Sequence, residues 1–140
     1  MSGTTSGIGA LIDAAEAARA NAYAPYSRFA VGAAIRAEDG RLYAGANVEN
    51  AAYPEGQCAE TSAIGAMIAA GARRIEAMVL LADGAALCTP CGGCRQRIRE
   101  FAEPETEIHL CGLDGVRRTV TLGELLPLSF GPDNVRGQGR

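Results

Sequence analysis

FAVGAAIRAEDGRLYAGANVE, residues 29–49, decides the fold. Its two β-rich runs, 29–37 and 41–49, flank Glu38-Asp39-Gly40, and a short Asp-Gly turn between such runs reads as a hairpin. Downstream the apolar period changes. From Cys58 to about residue 70, Ile64, Met67 and Ile68 recur at steps of three and four, which predicts a helix. Residues 77–82, AMVLLA, form a continuous apolar run of the kind expected for a strand covered on both faces. A helix over 91–101 follows Pro90, then a strand over 107–111 and a further strand over 116–120. A hairpin followed by β-α alternation predicts an α/β fold, a mixed sheet with helices packed on its faces.

Outward from this frame the pattern stays simple. GALIDAAEAARANA, 9–22, reads as an amphipathic helix with Leu11, Ile12, Ala15 and Ala18 on one side, stopped by APYS at 24–27. AAYPEGQ, 51–57, is a loop by its Pro and Gly. Thr121 with Glu124 makes a capping box opening a last short helix over 122–126, and residues 131–140, GPDNVRGQGR, read as a frayed, flexible tail. With 140 residues and neither repeat nor linker, residues 1–140 are expected to form one domain.

Composition narrows the chemistry. The chain has 16 acidic residues against 13 basic ones, a formal charge of −3, so no basic face is large enough to hold a nucleic-acid polymer. Every basic residue is Arg, which excludes a lysine Schiff base, a P-loop lysine and a Ser-Lys pair. Aromatics are scarce while Ala and Gly abound, so helices should pack closely on the sheet. The first residues resemble no secretory signal, and the longest apolar stretch is too short for a membrane span. A cytoplasmic protein is expected. In that compartment five cysteines, an odd number, point to metal binding or catalysis rather than disulfides.

Three of the five lie in CTPCGGCRQ, 88–96. Cys91 and Cys94 have the x₂ spacing that sets two sulfurs on one ion, although thioredoxin-like redox pairs share it. Cys58 opens a predicted helix, and Cβ vectors tilt toward a helix N-terminus. Cys58, Cys91 and Cys94 can therefore supply three ligands from two helix starts and leave one position open, the pattern of a catalytic Zn²⁺. Glu60 would then stand beside the metal as a proton carrier rather than a ligand. Taken alone, Glu60 reads as an ordinary first-turn acid, His109 as a strand-face residue, and Cys88 and Cys111 as small buried residues.

C-x-E joined to P-C-x-x-C is the zinc deaminase signature in three-cysteine form. More closely, the chain resembles the small cytidine deaminases from about residue 26 to residue 130. The likeness is carried by YSRFAVGAA (26–34), GANVENAAYP (45–54), CAE (58–60), PCGGCRQ (90–96) and ELLP (124–127), followed by Phe130. This resemblance implies a three-layer α/β/α fold with a mixed five-stranded sheet and one Zn²⁺ per chain. It implies hydrolytic deamination of cytidine and deoxycytidine to uridine and deoxyuridine in pyrimidine salvage. Zinc hydroxide would attack C4 while Glu60 moves protons to N3 and to the departing ammonia. By the same resemblance Asn47 and Glu49 bind the ribose, Phe29 packs against the nucleoside, and the backbone of Ala59 contacts the base. Tyr53 and Phe130 are similar to residues that reach into a neighbouring subunit's site, so a homotetramer with shared active sites is implied.

One position departs from the family. Arg usually follows the C-A-E and draws charge from the zinc thiolates; here Thr61 follows, then Ser62. Either another arginine takes over, Arg95 being the candidate, or the zinc is more electron-rich. Two other readings stay open: a deaminase of a related aminopyrimidine nucleoside, of the blasticidin S type, and a non-catalytic zinc or redox module built on Cys91 and Cys94.

Overall fold

The computed structural model describes residues 3–136 of the chain, with side chains from residue 7 onward. β1 (Val31–Ala37) and β2 (Leu42–Ala46) form the hairpin, with Ala34 opposite Ala44. Its turn needs Gly40, whose φ of 79° lies in the left-handed region. Asp39 Oδ1 accepts the Arg41 N–H at 2.9 Å and holds the turn from inside. β3 (Ile75–Ala82) pairs antiparallel with β1, β4 (Glu107–Gly112) parallel with β3, and β5 (Gly115–Thr121) antiparallel with β4. The result is one mixed five-stranded sheet in the order β2-β1-β3-β4-β5.

Alternation along the strands divides the core into two layers. On one face Ala33, Ile35, Met78, Leu80, Ile108 and Leu110 pack against α2 (Ala59–Ala69) and α3 (Gly92–Phe101). On the other, Ala34, Val79, Leu81 and Cys111 pack against Leu11 and Ala15 of α1 (Gly3–Arg19). This is the expected three-layer arrangement, and β3 at its centre is buried on both sides, as its apolar run required.

Small residues set the layer spacing. A Cβ on Gly45 of β2 would stand 2.5 Å from the Ala63 nitrogen and 2.7 Å from Ser62 Cβ, so α2 lies closer to the sheet than any other side chain there would permit. Gly32 of β1 is overlaid in the same way by the backbone of α1 at Ala15.

Several element bounds differ from expectation. α1 begins before residue 9, because the Gly/Ser/Thr-rich start lacks the apolar period that marks a helix. β3 begins at Ile75, since exposed Glu76 interrupts the apolar run. β2 ends at Ala46, and Asn47–Glu49 leave the sheet so that Val48 bridges Tyr23 on one side and Gln57 on the other. The stretch expected to be a frayed tail over 131–140 instead forms α5 (Pro132–Arg136). Gly131 and Asn134 exchange hydrogen bonds at 2.8 and 3.0 Å, closing a turn behind Pro132. Residues 137–140 lie outside the described residues. The capping box is present at α4 (Leu122–Leu125), where Thr121 Oγ1 accepts the Glu124 N–H at 3.2 Å and Glu124 Oε1 accepts the Thr121 N–H at 2.8 Å.

Candidate active site

The site forms where α2 and α3 begin side by side on the same face of the sheet. Cys58 is the N-cap of α2 and Cys91 the N-cap of α3, each with extended backbone, and Cys94 lies in the first turn of α3. The sulfurs of Cys58, Cys91 and Cys94 all lie within 4.8 Å of one another. That spacing fits three ligands on one tetrahedral Zn²⁺, with Zn–S near 2.3 Å, and leaves a fourth position free. Cys94 is buried, Cys58 half-buried and Cys91 exposed.

The thiols are tuned unequally. Burial pushes the Cys94 and Cys58 thiols above the ordinary range, and nearby negative charge adds to both. Cys91 is held below its ordinary range, chiefly by the backbone N–H of Cys94. This trio has the geometry of a metal site while two of its thiols resist ionising alone, so metal binding must expel protons.

Glu60 stands two residues into α2 and is 6% exposed. Burial raises its pKa, opposed by its own backbone N–H, by Cys94 and by the Arg97 charge. A carboxyl desolvated this way is moved toward neutrality, where proton exchange in both directions is easiest. Ala59, buried as the first residue of α2, has a backbone N–H with no acceptor inside its helix.

A braid of loops approaches the same helix ends. Val48 and Gln57 exchange hydrogen bonds at 2.9 and 2.8 Å, which brings Asn47 and Glu49 alongside Cys58. Asn47 Oδ1 accepts from Val31 N at 3.0 Å while its Nδ2 donates to the Phe29 carbonyl at 2.8 Å, so this carboxamide holds the chain on either side of Ala30. Glu49 accepts the N–H groups of Tyr26 and Ser27 at 3.0 and 3.1 Å and the Ser27 hydroxyl, which together lower its pKa, the hydroxyl most. Both residues of the expected ribose pair thus also anchor the 26–31 segment that carries Phe29. Arg28 in that segment has φ 59°, a conformation non-glycine residues adopt rarely and chiefly where a neighbour must be aimed.

Two open cavities adjoin the braid. One, of about 390 Å³, is lined by Tyr26, Ser27, Glu49, Asn50, Tyr53 and Gly56. The other, of about 400 Å³, runs from Phe29 along residues 83–89 and includes Cys88, which is half-buried rather than enclosed. Tyr53 meets Tyr26 edge to face at 6.0 Å and is 75% exposed; Phe130 is 59% exposed, its carbonyl accepting from Gln96 Nε2. Phe29, Tyr53 and Phe130 are thus all uncovered in the single chain.

His109 is apart from the trio. It points to the α1 face and pairs with Thr119 Oγ1 at 2.8 Å. Arg95 is also not where the sequence put it. It bonds the carbonyls of Pro90 and Leu125 at 2.7 and 2.8 Å and the Thr89 hydroxyl at 3.3 Å, tying α3 to the loop before it and to α4, and not to sulfur. Its direction from the helix start points it away from Cys94. The arginine that reaches the cluster is Arg97, Nη1 to Cys94 Sγ 3.9 Å, with the Thr61 hydroxyl 4.0 Å from the same sulfur. Its signal in the sequence is the step of three from Cys94, which sets the two side chains on one helix face. Ser27, as the anchor of Glu49, left no such signal, because the contact spans 22 residues, from before β1 to beyond β2.

Fold and site together define a zinc-binding deaminase domain. Residues 7–110 match the family described as the cytidine and deoxycytidylate deaminase zinc-binding region, and the chain belongs to that family. It is 41% identical to a cytidine deaminase of Sporosarcina psychrophila, across 89% of this chain and 92% of the relative. A cytidine deaminase of Halalkalibacterium halodurans is also 41% identical, over 89% and 95%. Among solved structures, the crystal structure of cytidine deaminase from Burkholderia pseudomallei superposes with a TM-score of 0.82 at 44% identity, covering 87% of this chain and 98% of that one.

Proposed function

We propose that the protein is a zinc-dependent deaminase of cytidine and deoxycytidine, replacing the 4-amino group of the base by oxygen from water and releasing ammonia. The observation that carries this reading is the convergence of three cysteine sulfurs from two helix starts with a buried Glu60 beside them. Zn²⁺, when held by Cys58, Cys91 and Cys94, supplies Lewis-acid activation of a water molecule.

The chain's own groups do the rest. Glu60 accepts one proton from the attacking water and passes it to N3 of the pyrimidine, then takes the second from the new C4 hydroxyl and delivers it to the amine, which leaves as ammonia while C4=O forms and the C4–N bond breaks; its upward-shifted pKa suits a group that must both take and give. The free N–H of Ala59 donates to the base. Asn47 and Glu49 keep unused donor and acceptor capacity beyond their loop contacts, which suits a sugar diol. Phe29 packs against the nucleoside. Tyr53 and Phe130, exposed in the single chain, close a neighbouring subunit's site in a homotetramer. A cytoplasmic setting keeps the ligand thiols reduced, and no described helix is long and apolar enough to cross a membrane.

Zinc-loaded protein incubated with cytidine and with deoxycytidine should release ammonia in step with uracil absorbance, and Glu60→Ala should abolish release while keeping about one zinc per chain. Zinc loss in Cys58→Ala separates a three-sulfur centre from a Cys91/Cys94 redox pair. Ammonia from blasticidin S, and none from cytidine, would transfer the assignment to the related aminopyrimidine class.

A further inference from the structure

Three thiolates around Zn²⁺ leave the centre with one excess negative charge, and the buried Glu60 carboxylate can add a second beside it. Two helix N-termini offset this only in part. Thr61, directly after Glu60, offers a neutral hydroxyl 4.0 Å from Cys94 Sγ, a weaker donor than a cation.

A cation does reach the cluster, from α3. Arg97 lies three residues past Cys94 on the same helix face, with Nη1 3.9 Å from the sulfur. Its guanidinium folds back over the first turn of α3, where a Cβ on Gly93 would come within 3.4 Å of Nη1. That turn is the positive end of the helix dipole, a poor place for a cation unless an anion is there to receive it. The neighbouring arginines are engaged elsewhere, Arg95 on Pro90 and Leu125, Arg99 on Ser129 and Ala102. Thr61, Gly93 and Arg97 line one cavity, so an arginine side chain fits the space from either helix.

We propose that Arg97 is a positioning residue of the metal centre, its guanidinium directed at Cys94 Sγ and offsetting the excess charge of three sulfur ligands in place of a cation at position 61. The proposal rests on Cys58, Cys91 and Cys94 being the zinc ligands. A centre of three sulfur ligands and Zn²⁺ carries net negative charge, so a fixed cation beside Cys94 favours the loaded state. Removing an outer partner of a metal ligand weakens binding about 10- to 100-fold.

The test is zinc affinity by competition with a chromophoric chelator, read on folded protein whose circular dichroism matches wild type. Arg97→Met should weaken zinc binding about tenfold or more. Thr61→Arg in the Arg97→Met background should recover most of that loss, because the same cavity receives the new guanidinium. Arg118→Met, which removes an exposed arginine on β5, should leave affinity unchanged. An Arg97→Met affinity within twofold of wild type overturns the proposal, as does an equal loss in Arg118→Met or a Thr61→Arg variant that recovers nothing. Ammonia release from cytidine is measured beside it: tight zinc without turnover in wild type defeats the deaminase reading but leaves the Arg97 result readable.

Discussion

Glu60 places a carboxyl where only 6% of its surface meets solvent, and burial raises its pKa above the ordinary carboxylate value. In metal-free protein this has a thermodynamic signature. With the folded pKa above the unfolded one, the native state binds more protons at this group, so the contribution of Glu60 to stability is greatest below about pH 4 and falls as pH rises through the raised pKa. Above that raised pKa the full penalty is present. Metal-free Glu60→Gln should therefore melt a few degrees above metal-free wild type at pH 7, and the gap should close toward pH 4 in calorimetric scans. A gap independent of pH would place its cause outside this titration. The same variant, zinc-loaded, should lose at least about 10²-fold in turnover. Arg95 and Arg97 show the limit of reading single residues: both follow the cysteines on one helix, and only their directions in space decide which meets sulfur.

At the scale of elements, the site depends on two helices starting together, and their height above the sheet is set by residues with no side chain. Gly45 is where α2 presses on β2, with the Ala63 nitrogen 2.5 Å from where a Cβ would be. Gly45→Val must push α2 outward or strain the hairpin, an overpacking cost of about 1–3 kcal/mol. Cys58 and Glu60 move with α2 while Cys91 and Cys94 stay with α3. The variant should consequently lower both the melting temperature and the zinc content after dialysis. A variant that melts lower yet retains full zinc would show that the sulfurs tolerate the shift.

For the molecule as a whole, the notable feature is what surrounds the site rather than what fills it. Tyr26, Phe29, Tyr53 and Phe130 are between 45% and 75% exposed, Tyr26 and Tyr53 in contact with each other. Exposed aromatics in one region mark a surface that a partner covers. The proposed homotetramer covers it with further copies, so light scattering should return four times the chain mass. Phe130→Asp should shift the population toward smaller species and reduce turnover, with zinc content preserved. Monomeric wild type with full activity would remove the shared site.

The sequence by itself determined the sheet, its hairpin, the two helix starts and the family, because local periodicity, turn chemistry and ligand spacing are written along the chain. Cys91-Gly-Gly-Cys94 and Cys58-Ala-Glu60 are legible for that reason. Only the tertiary structure decided which arginine faces Cys94, that Asn47 and Glu49 also tie down the loop bearing Phe29, and that 132–136 is helical. Those facts depend on where side chains from separate segments meet once the layers close. A spacing of residues fixes what can share a helix face; it leaves open which of two neighbours on that helix turns toward the metal.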